Sequence, residues 1–331
     1  KVDADKFKNG IASGLDQGTY IDPRAGSILL VDYLRTWQTR RHHLRPSTTA
    51  RDDSYIRNHI VPELGDYRLD RLTRTIIKAW VKGRVSAGYA PATVRKAAGI
   101  LAKALDDAVE DGLIATNPAR KLDLPKIETE EMRFLNPDEI WLLADELDPR
   151  YRAFVLTRAF TGMRPGELRA LRLKHLNVLG RSIQVEETLR EDRGLITAGP
   201  VKTSASRRQI KVPRLLADEL AQHLAIYPPV EDGFAFTAPH GGPIRKDNFR
   251  RRTWLPATVE AGLDGVRVHD LRHTHAALLI TQGEHPKVIR ERLGHKSIKT
   301  TLDRYGHLHK GLDEAAADAP DEAYSRTSVG F

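Results

Sequence analysis

Near its end the sequence reads Leu293-Gly-His-Lys-Ser-Ile-Lys-Thr-Thr-Leu-Asp-Arg-Tyr305, so that a tyrosine lies ten residues beyond the histidine of a Leu-Gly-His triplet. Three earlier segments also concentrate polar residues, namely Thr161-Gly-Met-Arg-Pro-Gly-Glu-Leu168, Lys202 with two arginines soon after it, and His269-Asp-Leu-Arg-His-Thr-His275. Helical spacing of apolar residues surrounds these segments, and short alternating stretches lie between the first and the third. The pattern predicts a mainly α-helical protein with a small antiparallel β-sheet.

Together the four segments contain the groups that phosphodiester transfer requires. The transition state carries extra negative charge on its non-bridging oxygens, and a guanidinium group offers a constant charge and a planar fork of donors. An acid must protonate the leaving oxygen, and a hydroxyl nucleophile must be held in line with it. Two arginines in turn contexts, a lysine, histidines and a late tyrosine meet these needs, so the sequence predicts neither a metal nor a cofactor.

In their order along the chain these segments resemble the active-site boxes of the tyrosine recombinase, or phage integrase, family. No single box is specific, whereas an Arg box, a His-x-x-Arg box, a Leu-Gly-His segment and a tyrosine in this order are highly specific. The resemblance covers residues 132–310, and residues 25–125 are less closely similar to the helical core-site-binding domain of that family. It implies a helical core-binding domain followed by an α+β catalytic domain.

The resemblance also implies a role for each matching residue. Arg164 and Arg272 would clamp the scissile phosphate, and Tyr305 would attack it to form a 3′-phosphotyrosyl bond. Lys202 would be the general acid to the 5′ oxygen, although Lys211 and Lys174 lie nearby in the sequence. A second late tyrosine, Tyr324, has no histidine box at the matching distance.

Three further residues would support this chemistry. His269 would assist proton transfer and orient the phosphate, His295 would hydrogen-bond a non-bridging oxygen, and Glu167 would brace the site without touching DNA. From the residues alone, His269, His273 and His275 remain open as metal ligands, because 269 and 273 are one helical turn apart. Arg272 beside them would repel a cation, and no further acidic or cysteine ligand is indicated.

Composition narrows the classes of partner. The net charge of +9 favours a polyanionic partner such as nucleic acid. The chain has no cysteine, which excludes disulfides, thiolate zinc sites and cysteine nucleophiles. No apolar run approaches a membrane span. Together with this composition, the resemblance implies double-stranded DNA as the partner, no membrane contact, and a cytoplasmic protein acting at the nucleoid of a bacterial host.

Turn and linker signals divide the chain into five segments. We expect residues 1–24 to be a linker or the end of an upstream arm-binding domain, followed by the core-binding domain at 25–125. A linker at 126–131 then leads to the catalytic domain at 132–310 and an acidic C-terminal tail at 311–331. Within the catalytic domain, Val201 to Val212 is predicted to form a hairpin that turns at Thr203–Ser206. Helices are predicted at 214–226, 247–261, 270–282, 286–293 and about 298–305.

Basic clusters predict contacts with DNA outside the active site. Phosphate contacts supply affinity and salt dependence, whereas contacts with base edges supply sequence choice. The predicted DNA-binding residues are Arg40, Arg41, Arg45, Lys78, Lys82, Arg84 and Arg207. A solvated helical face is the alternative for each cluster.

The main interpretation is a site-specific recombinase of the integrase type that assembles as a homotetramer on core attachment sites, with a possible accessory DNA-bending protein. A type IB topoisomerase is one alternative, and the Leu-Gly-His segment and the tail after Tyr305 argue against it. A non-catalytic DNA-binding protein is the other, and it predicts that a catalytic residue is missing.

The tail at residues 311–331 carries a net charge of −4, from five acidic residues and one arginine, which leaves +13 for the other 310 residues. We expect it to dock in trans onto the basic catalytic domain of a neighbouring protomer. The alternative is a disordered solubilising tail.

Overall fold

A computed structural model of the protein describes residues 24–42, 44–128, 132–192, 194–201, 203–230 and 233–305. The described residues form two compact units, divided between Glu130 and Glu131. Lys202, residues 129–131 of the linker predicted at 126–131, and the tail at 311–331 lie outside the described residues. No helix among the residues that the structure describes is long and apolar enough to cross a membrane.

The first unit consists of helices, their connections and one isolated β-bridge, between Leu29 and Arg68, in its described part. Its helices are α1 (Leu30–Arg40), α2 (Pro46–Tyr55), α3 (Val61–Leu64), α4 (Arg74–Ser86) and α5 (Pro91–Glu110). A π-helical segment, Ile56–Ile60, joins α2 to α3, and short 3₁₀ turns occupy Ala25–Ser27 and Leu69–Arg71.

The core of this unit forms where the apolar face of α1 meets α5. The buried residues of α1, at positions 30, 33, 34 and 37, have the spacing of a single helical face. On α5 many of the buried positions are alanines, which leave room for large neighbours. The hydroxyl of Tyr33 donates to the carbonyl of Ala104 at 2.9 Å, and Trp37 Nε1 donates to Asp107 at 2.5 Å. These bonds satisfy the polar atoms of two buried aromatic rings.

In the part of each unit that the structure describes, one π-helical segment lies immediately before a short helix that has proline at its second position. Ile56–Ile60 precedes Pro62, and Arg250–Trp254 precedes Pro256. Proline lacks an N–H, and its ring clashes with the carbonyl four residues earlier. Widening the helix by one residue relieves that clash, so the helix continues through the proline instead of ending.

The second unit combines nine helices with two small sheets among its described residues. The helices are α6 (Pro137–Asp145), α7 (Pro149–Thr161), α8 (Pro165–Arg169), α9 (Arg214–Ile226), α10 (Lys246–Phe249), α11 (Leu255–Glu260), α12 (Asp270–Thr281), α13 (Pro286–Leu293) and α14 (Ile298–Tyr305). The predicted helices at 214–226, 286–293 and 298–305 are confirmed, and those at 247–261 and 270–282 are confirmed to within one residue at each end. Within the helix predicted at 247–261, the π-helical segment Arg250–Trp254 links α10 to α11.

Five short strands form the two sheets. They are β1 (Leu176–Asn177), β2 (Ser182–Val185), β3 (Glu187–Asp192), β4 (Leu195–Pro200) and β5 (Arg208–Lys211). The three-stranded sheet has the order β1-β2-β5, and β3 pairs with β4 in a separate hairpin, with every pair antiparallel.

The predicted hairpin over Val201 to Val212 is wrong. β5 pairs with β2, with Ile183 opposite Ile210, and the local hairpin is the preceding β3-β4 pair. The turn at Thr203–Ser206 is present as a 3₁₀ turn, closed by a bond from Ser206 N to Thr203 O at 3.0 Å. Ile183 and Ile210 are both buried, so the apolar faces of two distant strands select the pairing.

A small apolar cluster lies apart from the main core of this unit. It contains Ala276 and Ile280 of α12, Ile289 and Leu293 of α13, and Tyr305 of α14. The cluster packs the last three helices together and places the end of α14 beside the start of α12.

Candidate active site

Arg164 lies where the chain turns from α7 into α8. Gly162 ends α7 in the left-handed conformation at φ +62°, and a β-carbon there would approach a side-chain carbon of Leu293 to 2.7 Å and one of His275 to 2.9 Å. Pro165 starts α8, where its missing N–H is not needed. The turn therefore requires glycine and holds Arg164 at the start of α8.

Glu167 connects Arg164 to the sheet. Its side chain is 3% exposed and accepts bonds from Arg164 N at 3.0 Å, Arg164 Nη1 at 2.7 Å and Arg208 Nη2 at 2.9 Å. Burial alone raises the pKa of this carboxyl, but the charges and hydrogen bonds of Arg208 and Arg164 bring the pKa below its usual value. Glu167 is thus ionised and connects Arg164 with Arg208.

Arg272 lies one turn into α12 and is buried. Its Nη1 donates to the carbonyl of Gly162, and its Nη2 donates to the carbonyl of Leu293 at 2.6 Å. Burial, together with the nearby charge of Arg164, lowers the pKa of Arg272 to about 9, so the group stays charged at neutral pH. A charged guanidinium is therefore held rigidly between two helix ends.

The end of α13 brings the two predicted phosphate-binding arginines together. Gly294 caps α13 in the left-handed conformation at φ +64°. The carbonyl of Leu293 accepts from Arg272, and the carbonyl of the next residue, Gly294, accepts from Arg164 Nη2 at 2.7 Å. Carbonyls at a helix C-terminus carry partial negative charge, which stabilises two nearby cations.

Helix α14 is tied to the site at two points on one face, since its residues 301 and 305 are four apart. His295 Nδ1 is 2.9 Å from Thr301 Oγ1, and His273 Nδ1 is 2.6 Å from the hydroxyl of Tyr305. Tyr305 is 1% exposed. The predicted nucleophile is thus buried beside the residue that follows Arg272.

His269 lies just before α12 and contacts a residue that the sequence analysis did not single out. Its Nδ1 is 3.2 Å from Nη2 of Arg158, an arginine in the last turn of α7. The ring of His269 also meets that of His273 edge-on, with 4.8 Å between centroids. His269 is therefore held from both α7 and α12.

The three histidines that remained open as metal ligands face different partners. His269 contacts Arg158, His273 contacts Tyr305, and Nε2 of His275 is 3.4 Å from Nε of Arg292. Burial, followed by the charges of Arg292 and Arg272, lowers the pKa of His275 to about 3, so this imidazole is neutral. Among the described residues, no group of three or more His, Cys, Asp or Glu is arranged to hold a metal ion.

A cavity of about 270 Å³ opens beside these groups. It is lined by Arg164, Glu167, Thr188, Val201, Thr203, Ser206, Gly294 and Lys296. Ser206 Oγ is 3.4 Å from Arg164 Nη1 and 3.0 Å from Thr203 Oγ1. Lys202, the predicted general acid, is outside the described residues, but both of its chain neighbours line this cavity.

Two of the predicted DNA-binding residues are buried in the helical unit. Arg41 is 7% exposed, donates to Asp52 at 2.8 Å and lies 4.1 Å from the ring centroid of Trp37. Arg84 is also 7% exposed and is 3.0 Å from Glu63. Their burial and ion pairs count against the predicted phosphate contacts, because a phosphate oxygen cannot approach a side chain that is packed inside the unit.

The other predicted DNA-binding residues lie at the surface. Arg40 pairs with Asp111 at 2.5 Å and Lys78 pairs with Asp123 at 3.2 Å, both as exposed ion pairs that contribute little to stability. The remaining exposed members of the set are Arg45, Lys82 and Arg207.

The sequence analysis missed the functions that the structure suggests for Arg158, Arg208 and His273. For Arg158 and Arg208, the local sequence pattern indicated a position on a buried face. Arg158 follows Tyr151 and Phe154 at helical spacing, so it lies on a face of α7 that is otherwise apolar. Arg208 alternates in phase with Ile210, which places both on the inner face of β5. His273 had no such signal, since its partner lies 32 residues away.

Comparisons with known proteins identify the family of this chain. The model of the phage integrase family matches residues 133–311, which are 179 of 331 residues. The model of the N-terminal SAM-like domain of phage integrases matches residues 30–83. The integrase of Mycobacterium phage L5 is 28% identical over 335 residues, which cover 96% of this chain and 88% of the phage protein.

Solved structures share the fold. The Tn1549 transposon integrase in complex with a circular intermediate DNA matches with a TM-score of 0.77 and 20% identity, over 89% of this chain and 100% of that chain. A lambda integrase tetramer bound to a Holliday junction matches with a TM-score of 0.65 and 20% identity, over 87% of this chain and 80% of that chain. The predicted fold class is confirmed.

Proposed function

Because this chain belongs to the phage integrase family and is a tyrosine-type site-specific recombinase, we propose that it cuts and rejoins double-stranded DNA through a 3′-phosphotyrosyl bond to Tyr305. One observation carries this proposal. Arg272 donates to the carbonyl of Leu293 and Arg164 to that of the adjacent Gly294, beside a cavity open to a ligand.

The two arginines and His295 form the phosphate site of this proposal. Pentacoordinate phosphorus places extra charge on the non-bridging oxygens, and donors that are already oriented stabilise this charge without reorganising. Glu167 holds Arg164, while backbone carbonyls hold Arg272, so both guanidinium groups are oriented before DNA arrives. His295 adds a donor from the segment that follows α13.

Proton transfer involves three further groups. Lys202 protonates the leaving 5′ oxygen, and His269 orients the phosphate and assists this transfer. Tyr305 loses its phenolic proton as it attacks, and Nδ1 of His273, at 2.6 Å, is placed to receive it. Since Tyr305 is buried in the structure, DNA binding must open the site around Tyr305 and His273 while the two side chains stay in contact. The phosphotyrosyl bond keeps the energy of the phosphodiester, so rejoining needs no ATP.

The remaining parts of the chain bind DNA and support assembly. We assign residues 25–125 to core-site binding, 126–131 to the linker and 132–310 to catalysis, with 1–24 joining an arm-binding domain. Arg40, Arg45, Lys78, Lys82 and Arg207 are the exposed phosphate contacts in this proposal. By analogy with the lambda integrase tetramer on a Holliday junction, four copies of the chain act together on DNA, and the tail of each copy docks onto its neighbour. The assembly acts at the bacterial nucleoid in the cytoplasm, together with an accessory DNA-bending protein.

The experiment that tests the proposal traps the covalent intermediate. A core site is first selected with this protein from a randomised pool of duplexes, and a nick near its scissile bond then makes cleavage irreversible. We expect a covalent protein–DNA adduct that peptide mapping places on Tyr305. Tyr305→Phe should abolish the adduct and leave DNA affinity nearly unchanged, because the change removes a hydroxyl and no charge.

Tyr324→Phe is the matched control, since it removes the other late tyrosine. It should form the adduct at the normal rate. An adduct that persists in Tyr305→Phe, or that maps to another residue, would refute the assignment of the nucleophile.

A further inference from the structure

We propose that Arg158 is a positioning residue that holds His269 as the neutral tautomer with its proton on Nε2, and so sets the direction in which this histidine donates to the phosphate. The inference rests on the proposed role of His269. It concerns a buried charge on α7 that the mechanism above does not use.

Arg158 makes three side-chain contacts, and two of them are with the segment before α12. It is 0% exposed. Its Nε donates to the carbonyl of Val268 at 2.7 Å, its Nη1 donates to the carbonyl of Met163, and its Nη2 is 3.2 Å from Nδ1 of His269. One guanidinium therefore binds the backbone just before His269 and the His269 ring itself.

The chemistry of the guanidinium group determines the proton position on the imidazole. Arginine has five N–H donors and no acceptor, so Nδ1 of His269 can only accept in this contact. A neutral imidazole carries one proton, which must then be on Nε2. An imidazolium has N–H groups on both nitrogens, so protonation would break the bond and bring two cations together.

The other groups around His269 are compatible with this arrangement. The ring of His273 meets it edge-on at 4.8 Å, and the carboxylate of Asp270 is already engaged by Arg267 at 3.0 Å. Burial lowers the pKa of Arg158 to about 9, and the charges of Glu167 and Asp270 partly offset this effect, so Arg158 remains a cation at neutral pH.

A ring-nitrogen NMR experiment tests the tautomer directly. The full chain is labelled with ¹⁵N-histidine, and the His269 signals are identified by their loss in His269→Ala. In the wild-type protein we expect a protonated Nε2 and an unprotonated, hydrogen-bonded Nδ1. In Arg158→Met we expect the Nδ1 signal to lose its hydrogen-bond shift and the second tautomer to become populated. A proton on Nδ1 in the wild type would overturn the proposal, even if Arg158→Met fails to fold.

A double-mutant cycle separates positioning from general support of the fold. Because a misplacement of about 1 Å can slow a reaction on the order of 10²-fold, we expect Arg158→Met to reduce the cleavage rate of the nicked core duplex by about that factor, with DNA affinity retained. In the His269→Ala background the same change should alter the rate by less than about 3-fold, since coupled residues are not additive. An equal loss in both backgrounds would refute the proposal.

Arg152→Met is the matched control, because Arg152 lies on the same helix but pairs with Asp145 and Glu219. It should cleave at the wild-type rate. If His269→Ala itself cleaves normally, the proposed role of His269 fails, while the ring-nitrogen measurement still decides whether Arg158 sets its tautomer.

Discussion

Replacing Glu167 should separate its structural contribution from its catalytic one. The carboxylate accepts through Oε2 from Arg164 N and Arg208 Nη2, and through Oε1 from Arg164 Nη1. Glutamine keeps one acceptor oxygen. If the amide oxygen of glutamine takes the place of Oε2, the amide NH₂ faces Nη1 of Arg164. Only the bond from Arg164 Nη1 is then lost. Arg164 is 37% exposed, so its freed guanidinium can be hydrated.

The expected loss of unfolding free energy depends on which of the two arginines, Arg164 or Arg208, loses its bond to the carboxylate. Glu167→Gln loses one charge-assisted bond, which corresponds to about 1.5–3 kcal/mol of unfolding free energy. Glu167→Ala also leaves the buried Arg208 unpaired, which raises the expected loss to about 3–5 kcal/mol. For a unit of this size, these losses lower the unfolding midpoint by about 3–12 °C and 6–20 °C, respectively.

Calorimetry of the full chain measures these shifts, and trapping on the nicked core duplex measures cleavage. Both variants should cleave on the order of 10²-fold more slowly, because Arg164 is no longer oriented. Glu187→Ala is the control, since it removes a half-buried partner of Arg172 and should change stability by about 0–1 kcal/mol.

The stability that Glu167 contributes should also depend on pH. Its pKa in the folded protein is below the usual 4.5. The contribution is therefore complete above pH 4.5 and is lost as pH falls through the lower folded pKa. The reasoning would be refuted if Ala and Gln were equally stable at neutral pH, or if the difference between wild type and Gln grew in acid.

Three other predictions address the leaving group, the DNA interface and the turn before Arg164. Lys202→Ala should cleave ordinary DNA slowly, and its cleavage rate should recover on a 5′-bridging phosphorothiolate, because the sulfur leaves without a proton. The cleavage rate of Arg164→Ala should not recover. If the two variants behaved alike, the general acid would be another residue. If the protein neutralises roughly 6–10 phosphates, affinity measured by fluorescence anisotropy should fall by about 10³–10⁵ between about 50 and about 200 mM salt, and a flat response would contradict extensive phosphate contact. Gly162→Ala should lower the unfolding free energy by about 2–5 kcal/mol through left-handed strain and overpacking. Gly88→Ala is the control: it has φ +78° and nothing within 4 Å, and it should lose only about 1–2 kcal/mol. Similar losses in the two variants would show that the contacts around Gly162 do not add to the cost.

Much of this protein was predictable from local patterns. Apolar residues at helical spacing and proline or glycine at element ends predicted the helices of the catalytic unit, because a helix buries one face and its ends have characteristic residues. The four polar segments predicted the catalytic chemistry, and they did so through their order and residue types. None of this required knowledge of which residues touch.

The contacts within the site depended on long-range packing. Arg158 and His269 are 111 residues apart, and Arg164 and Gly294 are 130 apart. The predicted hairpin after residue 200 failed because β5 pairs with β2, and that choice depends on two apolar faces meeting. Arg41 was likewise predicted to bind DNA from its place in a basic cluster, whereas in the structure it is buried and paired with Asp52 of the next helix.

The sequence by itself therefore determined the family, the fold class and the types of group available for catalysis. Only the tertiary structure decided which carbonyls and side chains each arginine binds. The physical reason is that periodicity reports whether a position is buried, whereas the role of a buried polar group depends on the partner that satisfies it, and that partner comes from a distant part of the chain.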